Sequence, residues 1–289
     1  MSAQNSRKRA WFLLAPAVPA VFAGWLLWQY TDGEDAGPKE PRAAASSPSA
    51  RPSPSKAGVE PRIDKKPLTG KVVVLDPGHN PNNRLHTAEI NRKVNIGTNA
   101  KECDTTGAAT DSGYAEARFT LDVARRARTL LRAQGATVKL TQDGQRAWGP
   151  CVDERAAIGN EAHADAVVSI HADGAGPGQR GFHVILPKAI SAGGADTRKI
   201  AGPSRELGLA VRKAFEKRTG SDVSNYLGGG SGFTVRSDLG GLNLSTVPKV
   251  FIECGNMRDS KDAAQLTAGG WRQRAAHGIV DGITAYLNG

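Results

Sequence analysis

The sequence predicts an α/β fold, a three-layer sandwich in which helices flank a twisted, largely parallel central sheet. Two observations lead to this prediction. Short runs such as VVVL, AVVSI and VFI are apolar at every position, as expected of strands covered on both faces. These runs alternate with longer segments in which apolar residues recur every three or four positions, a spacing typical of helices that cover a parallel sheet.

The elements follow one another in a simple order. The first strand is predicted at residues 71–75 (KVVVL), followed by an insertion loop at residues 80–112 that is rich in Asn, Thr and Gly. A helix is expected from residue 115 to the end signal Gln134-Gly135, and Gly-rich turns surround residues 233–235. Further strands are predicted at residues 136–141, 166–170, 181–186 and 250–252, and helices at residues 152–163, 200–218 and 263–287.

Three polar side chains come directly after predicted strands: His79 after VVVLDPG, His171 after AVVSI and Glu253 after VFI. The carboxyl ends of parallel strands carry the chemistry in such folds. Two imidazoles and a carboxylate are ligands typical of zinc, with one position left open for water in a catalytic site. Glu116, at the start of the predicted helix, is the candidate third ligand, although a Glu in a first turn also complements the helix dipole.

Other polar residues receive structural interpretations. We expect Asp76 to orient the first turn or to accept a hydrogen bond from the free ring nitrogen of a metal-binding histidine. His183, in the middle of a strand, is interpreted as structural. Cys254 follows Glu253 directly, so strand alternation should turn its side chain to the opposite face.

The N-terminal segment, residues 1–30, has the features of an export signal. Arg7, Lys8 and Arg9 precede an uncharged apolar stretch at residues 10–30, and acidic residues follow it. The stretch is long enough to cross a bilayer, and the charge asymmetry sends the rest of the chain out of the cytoplasm. Both an uncleaved signal anchor and a cleaved signal peptide fit, so we expect an extracytoplasmic protein, membrane-anchored or secreted and associated with the cell wall.

The rest of the chain divides into a linker and one large domain. Residues 31–69 are rich in Pro, Ala and Ser and lack periodicity, which predicts a disordered tether, and residues 70–289 form the predicted catalytic domain. The formal net charge of +10 suits an anionic partner such as a bacterial wall, although an ordinary basic surface would look the same. No pattern of basic and aromatic residues indicates nucleic-acid binding. The oligomeric state stays open, with a monomer favoured.

Three cysteines leave room for one disulfide and one free thiol. Cys103 and Cys151 lie in polar segments, whereas Cys254 ends an apolar run, so we predict a Cys103–Cys151 disulfide in an oxidising compartment. It would fasten the insertion loop, which could serve as a lid, a specificity loop or a structural addition.

Four motifs resemble the zinc-dependent N-acetylmuramoyl-L-alanine amidase family of peptidoglycan hydrolases, the amidase-3 type. They are LDPGH at residues 75–79, a Glu opening a helix at residue 116, RAAIGNEAHADAVVSIHAD at residues 155–173 and VPKVFIECGNM at residues 247–257. They occur in the family's order over residues 71–289. Asn80-Pro81 after the histidine and CGNM after Glu253 depart from the commoner pattern and resemble the actinobacterial branch.

The resemblance implies a zinc enzyme that hydrolyses the amide bond between N-acetylmuramic acid and L-alanine in peptidoglycan or muramyl peptides. It implies that His79, Glu116 and His171 bind Zn²⁺ and that Glu253 is the catalytic acid and base. Two alternatives remain: a zinc peptidase that cuts within the stem peptide, and a wall-binding module without catalysis, which would have little reason to keep all four residues. The preferred glycan or peptide and the need for an activator are not predicted.

Overall fold

The computed structural model describes residues 66–289, which contain ten strands. The strands are β1 (Val72–Pro77), β2 (Lys93–Asn95), β3 (Ala100–Glu102), β4 (Thr137–Leu140), β5 (Ala166–Asp173), β6 (His183–Pro187), β7 (Ser191–Ala192), β8 (Ala195–Asp196), β9 (Phe233–Arg236) and β10 (Lys249–Asn256). Six of them form the central sheet in the order β4-β1-β5-β10-β6-β9. Neighbouring strands are parallel except β6 and β10, so the predicted largely parallel sheet is confirmed.

Helices cover both faces of this sheet, which confirms the three-layer α/β architecture. The helices are α1 (Thr87–Asn91), α2 (Glu116–Ala133), α3 (Val152–Glu161), α4 (Arg198–Thr219), α5 (Gly240–Asn243), α6 (Ser260–Thr267) and α7 (Gly269–Asn288). Helices α2, α4 and α7 pack together on one face, over the main hydrophobic core. Helices α3 and α5 contact each other on the other face, where α3 meets β1 and α5 meets β6.

Strand alternation gives the two faces of the sheet different chemistry. On β10, Val250, Ile252 and Cys254 enter the main core, as predicted for Cys254. Lys249, Phe251 and Glu253 alternate with them and therefore project from the opposite face. This second face carries the polar residues of β1, β5 and β10.

A buried carboxylate, Asp76, lies at the centre of that polar face. Its Oδ1 accepts hydrogen bonds from Thr141 Oγ1 (2.7 Å) and Arg155 NH1 (2.8 Å), and its Oδ2 accepts from Ser169 Oγ (2.6 Å) and Lys249 Nζ (3.1 Å). Burial opposes the charge, but Lys249 and Arg155 outweigh it and hold the pKa of Asp76 far below its usual value. The predicted role of Asp76 as an acceptor for a metal-binding histidine is therefore wrong, because its oxygens are engaged by these four donors.

The insertion loop contains more structure than the sequence indicates. Residues 80–112 include a short 3-10 helix, α1 and the antiparallel β2–β3 hairpin. The predicted Cys103–Cys151 disulfide is present, with the two Cα atoms 4.3 Å apart. The disulfide holds the end of the hairpin segment beside the start of α3.

The C-terminal segment differs from the prediction of one helix at residues 263–287. It forms two helices, α6 and α7, because Ala268 between them has extended backbone angles (φ −82°, ψ 120°). Asp259 starts α6 early, since its side chain accepts hydrogen bonds from the backbone N–H groups of Lys261 and Asp262. Gly269 and Gly270 follow the break, where the low helix propensity of glycine favours an interruption.

Two predictions fall on residues outside the described range: the export signal at residues 1–30 and nearly all of the linker at residues 31–69. Within residues 66–289, no helix is both long enough and apolar enough to span a bilayer.

The hydrogen bonds and ion pairs of Asp76 lead to a prediction about the stability of the fold. Replacing Asp76 by Asn removes the charge that faces buried Lys249 and Arg155, so Asp76→Asn should lower the free energy of unfolding by about 3–5 kcal/mol. Urea denaturation followed by circular dichroism measures this change. The matched control is Asp196→Asn, which breaks an exposed pair with Arg198 and should leave the urea midpoint close to that of the wild type. Equal midpoints for the two variants would contradict the role given to Asp76.

Candidate active site

His79 follows β1 in a strained backbone conformation, with φ at 61°. Its carbonyl oxygen accepts hydrogen bonds from Gln142 Nε2 and Arg155 NH2, each at 3.0 Å. The preceding residue, Gly78, lies so close to His171 that a Cβ atom there would be 2.3 Å from the imidazole Cε1. Glycine at this position therefore allows the two histidines to approach each other.

The imidazole of His79 is held through both ring nitrogens. Its Nε2 lies 3.3 Å from Glu116 Oε2, and its Nδ1 lies 3.1 Å from the Thr105 carbonyl and 3.3 Å from Asp104 Oδ1. Asp104 in turn accepts a hydrogen bond from Arg155 NH2 at 3.0 Å. Asp104 thus takes the orienting role that the sequence analysis assigned to Asp76.

Glu116, the first residue of α2, has a buried side chain whose two oxygens are both engaged. Oε1 lies 2.9 Å from His171 Nδ1 and accepts a hydrogen bond from the Ala172 N–H at 3.1 Å. Oε2 accepts a hydrogen bond from the Ala108 N–H at 2.7 Å. The carboxylate is therefore fixed between the two histidines.

His171 lies within β5 and not beyond its end, because the strand continues for two more residues. Its ring stacks on Phe251 with an interplanar angle of 14° and centroids 5.2 Å apart. It also meets the ring of His79 edge-on, with centroids 5.0 Å apart. One nitrogen or oxygen atom from each of His79, Glu116 and His171 lies within 4.8 Å of the other two, so this group could hold a metal ion.

The electrostatics of this group favour a cation. Burial disfavours a charged imidazole, but the carboxylates of Glu116 and Asp104 outweigh it and raise the pKa of His79 well above its usual value. Burial likewise opposes the charge of Asp104, yet Arg155 and His79 lower its pKa to about 2. Two imidazoles and a carboxylate around a buried negative centre fit the donor set of a zinc site with an open position.

Glu253 lies on β10 between His171 of β5 and His183 of β6. Like His171 it sits inside its strand, since β10 extends to Asn256. Its Oε2 is buried and has no hydrogen-bond partner among residues 66–289. Burial, together with the charges of Glu116 and Asp173, raises the pKa of Glu253 well above its usual value. A carboxyl group of raised pKa is suited to taking up and returning a proton near neutral pH.

All four predicted residues line one cavity of about 290 Å³. Its apolar wall includes Ile185, Leu239 and Phe251, and Arg236 and Asp173 lie at its border. A second cavity of about 260 Å³ adjoins it. The residues shared by the two cavities are His79, Thr105, His171, Leu239 and Phe251. A substrate with two parts joined at the reacting bond could therefore extend to both sides of His171.

Three residues that shape the site were missed in the sequence. Lys249 interrupts the apolar strand VPKVFIE, and a lysine buried in a strand requires a buried carboxylate nearby, which could have been recognised. Asp104 follows the disulfide cysteine Cys103, but its contact with His79 depends on the path of the insertion loop. Tyr226, whose hydroxyl donates to Asp173 Oδ2 at 2.7 Å, lies in a Gly-rich segment that carries no periodic signal.

Comparison with known proteins identifies relatives over nearly all of the described region. The family model for N-acetylmuramoyl-L-alanine amidase, Amidase_3, matches residues 73–285. N-acetylmuramoyl-L-alanine amidase Rv3717 of Mycobacterium tuberculosis is 38% identical over 225 residues, which are 76% of this chain and 88% of that protein. The crystal structure of Ami1 from Mycobacterium smegmatis matches with a TM-score of 0.69 and 41% identity, over 76% of this chain and 98% of that one. The apo form of Ami1 from Mycobacterium abscessus matches with a TM-score of 0.69 and 40% identity, over 76% and 100% of the two chains.

The buried imidazole of His183 leads to a prediction about how the free energy of unfolding depends on pH. Burial lowers its pKa to about 4, whereas the histidine of an unfolded chain titrates near pH 6.5. The unfolded chain therefore binds more protons than the folded one between these values, and His183 makes stability fall as the pH falls through this window. From pH 7 to pH 5, we expect the wild type to lose about 2 kcal/mol more unfolding free energy than His183→Leu. Urea denaturation at both pH values measures the difference, and parallel losses in the two proteins would contradict it.

Proposed function

Because the chain belongs to the N-acetylmuramoyl-L-alanine amidase family, we propose that its cavity binds muramyl peptides of peptidoglycan and positions the amide bond between N-acetylmuramic acid and L-alanine for hydrolysis. The observation that carries this proposal is the arrangement of His79, Glu116, His171 and Glu253 around one cavity. Three of these residues form a group suited to a metal ion, and the fourth, Glu253, lies directly across the sheet from His171.

We further propose that His79, Glu116 and His171 hold a zinc ion. The other ring nitrogen of His79 faces Asp104 and the Thr105 carbonyl, an arrangement that orients metal-binding histidines in many proteins. Zinc bound there would polarise a water molecule and the amide carbonyl. The hydrogen bonds from the Ala108 and Ala172 N–H groups keep the Glu116 carboxylate in place between the histidines.

Glu253 is proposed to carry the proton through the reaction. Its carboxylate removes a proton from the attacking water as the new C–O bond forms at the amide carbonyl. The same carboxyl group then returns the proton to the nitrogen as the C–N bond breaks, which releases the stem peptide with a free alanine amine. The half-buried position of Glu253 on β10, next to His171, suits one group to both proton transfers.

The location proposed for this activity is outside the cytoplasm, where peptidoglycan lies. Residues 1–30 are proposed to direct export, as an anchor or as a removed signal, and residues 31–69 to tether the catalytic domain, residues 70–289, to the membrane when the anchor is kept. The basic net charge would favour contact with an anionic wall. We propose that the protein acts as a monomer, because the four site residues of one chain line the cavity without a second copy.

The test of this function is mass spectrometry of a muramyl peptide incubated with the full chain in detergent, with and without a zinc chelator. The expected result is a stem peptide with an N-terminal alanine, lost on chelation and restored by zinc. Products cut within the stem peptide would instead identify a peptidase. Intact substrate in the presence of the folded, zinc-loaded chain would overturn the proposal in favour of a binding module.

Two substitutions separate metal binding from proton transfer. Glu253→Gln keeps the three proposed zinc ligands but removes the proton carrier, so it should retain zinc and lose at least about 100-fold in kcat. His171→Ala removes a ligand and should lose both zinc and turnover. Zinc content and product formation are measured for each purified variant. An active Glu253→Gln enzyme would contradict the proposal that Glu253 carries the proton.

Gly107 offers a matched test of the metal site. A Cβ atom at Gly107 would lie 2.6 Å from His79 Cδ2 and 2.8 Å from Glu116 Oε2, whereas nothing lies within 4 Å of one at Gly113. Both glycines have positive φ, 77° and 82°, so alanine at either costs a similar backbone strain of about 1–2 kcal/mol. Only Gly107→Ala should weaken zinc binding, by about 10- to 100-fold in a competition titration with a chelator. Equal zinc affinities in the two variants would contradict the ligand set.

A further inference from the structure

His183 and Glu253 occupy directly opposite positions on the antiparallel strands β6 and β10. Side chains at opposite positions project from the same face of a sheet, with Cβ atoms about 4.5–5.5 Å apart. His183 therefore lies beside the carboxyl group to which we assign proton transfer, and the role inferred for it rests on that proposed function.

Each of the two side chains has one buried polar atom without a hydrogen-bond partner in the described part of the chain. These atoms are Nδ1 of His183 and Oε2 of Glu253. His183 is only 2% exposed, so solvent does not readily supply the missing partner. Buried polar atoms are nearly always paired in native proteins, and an unpaired one calls for an explanation. A ring nitrogen and a carboxyl oxygen on directly opposite strand positions are chemically matched as donor and acceptor.

Tyr226, Asp173 and Arg236, three polar residues near His183, are already engaged. The ring of Tyr226 packs edge-on against the imidazole, with centroids 6.1 Å apart, and its hydroxyl donates to Asp173 Oδ2. The other oxygen of Asp173 accepts a hydrogen bond from the Gly174 N–H at 2.6 Å. Arg236 binds Asp238 through two hydrogen bonds of 2.9 and 2.7 Å.

Thr234, on the neighbouring strand β9, is the competing partner. Its Oγ1 is also buried and unpaired within residues 66–289. Its position in the sheet is opposite Ile185 and not opposite His183. Glu253, directly across the ladder from His183, is therefore the favoured partner, and Thr234 is the control in the test.

The charge state of His183 suits a hydrogen bond that persists through the reaction. Burial, and to a smaller degree the charge of Arg236, lower its pKa to about 4 against the opposing charge of Asp173. A neutral imidazole carries one N–H. With that proton on Nδ1, the ring donates to Oε2 both when the carboxyl group is ionised and when its other oxygen carries a proton.

We propose that His183 is a positioning residue for Glu253: its Nδ1–H donates to Oε2 and leaves Oε1 facing the water and the scissile nitrogen. The proton released from water passes to Oε1 as the C–O bond forms. It then passes from Oε1 to the nitrogen as the C–N bond breaks. His183 itself neither gains nor loses a proton, so its contribution is the orientation of the carboxyl group.

Three substitutions of His183 test this role on the full chain, with a muramyl peptide as substrate. In His183→Asn the side-chain amide N–H lies near the position of Nδ1–H, in His183→Gln it lies near that of Nε2, and His183→Leu has neither. We expect kcat to fall about 10- to 100-fold in the Leu and Gln variants with KM and zinc content unchanged. The kcat of His183→Asn should stay within about threefold of the wild-type value, and the kcat of Thr234→Val should equal the wild-type value.

The proposal is overturned if His183→Leu keeps its kcat, if the Asn and Leu variants fall equally, or if Thr234→Val lowers kcat as much as His183→Leu. Nitrogen-15 NMR of labelled histidines gives a second readout that does not need turnover. We expect the His183 proton on Nδ1, with a resonance that moves in Glu253→Ala but not in Thr234→Val. A proton on Nε2 overturns the inference, whereas a folded, zinc-loaded wild type that leaves substrate intact overturns only the proposed function.

Discussion

The buried group of four charges, Asp76, Asp104, Arg155 and Lys249, organises the polar face of the sheet. Asp76 alone joins four elements of the fold through hydrogen bonds to residues of β5, β10, α3 and the end of β4. Two carboxylates face two cations, so the group is neutral as a whole, and each charge is compensated without water. Removing the charge of any one member leaves the buried group with an uncompensated net charge, so the four residues are needed together.

Arg155 connects this centre to the candidate metal site. It binds Asp76 on one side and, on the other, the carbonyl of His79 and the carboxylate of Asp104. Asp104 then lies against the imidazole of His79. The position of His79 is therefore set by a series of hydrogen bonds and ion pairs that begins at Asp76 in the middle of the sheet. A loop residue with a strained φ of 61° can be held in one orientation because four surrounding atoms contact its ring or its carbonyl: Thr105 O, Asp104 Oδ1, Gln142 Nε2 and Arg155 NH2.

The elements with strong periodicity were predictable, and so was the site that depends on them. Helix α2 carries a regular apolar stripe, which placed Glu116 at its start, and the apolar runs of β1, β5 and β10 placed His79, His171 and Glu253 at one region of the sheet. The predicted strands stop before His171 and Glu253 because these residues are polar, whereas β5 and β10 continue to Asp173 and Asn256. The strands β2, β3 and β9 are each three or four residues long, too short to give a periodic signal. The role of Asp104 could not be predicted, because it depends on a contact with His79, 25 positions earlier in the chain. Propensity and periodicity do not encode such contacts.

Strand β10 combines two kinds of constraint along one short segment. Val250, Ile252 and Cys254 serve the core, where aliphatic residues of similar volume exchange at a cost below about 1.5 kcal/mol. Lys249 pairs with Asp76, and the role proposed for Glu253 depends on a carboxyl group opposite His171, so each of these two positions requires a particular charged side chain. An insertion or deletion of a single residue within this segment would exchange the two sets, burying a carboxylate in the core and presenting aliphatic groups to the cavity. Substitution can therefore alter one face of β10 gradually, whereas a change of one residue in its length disrupts both faces in the same step.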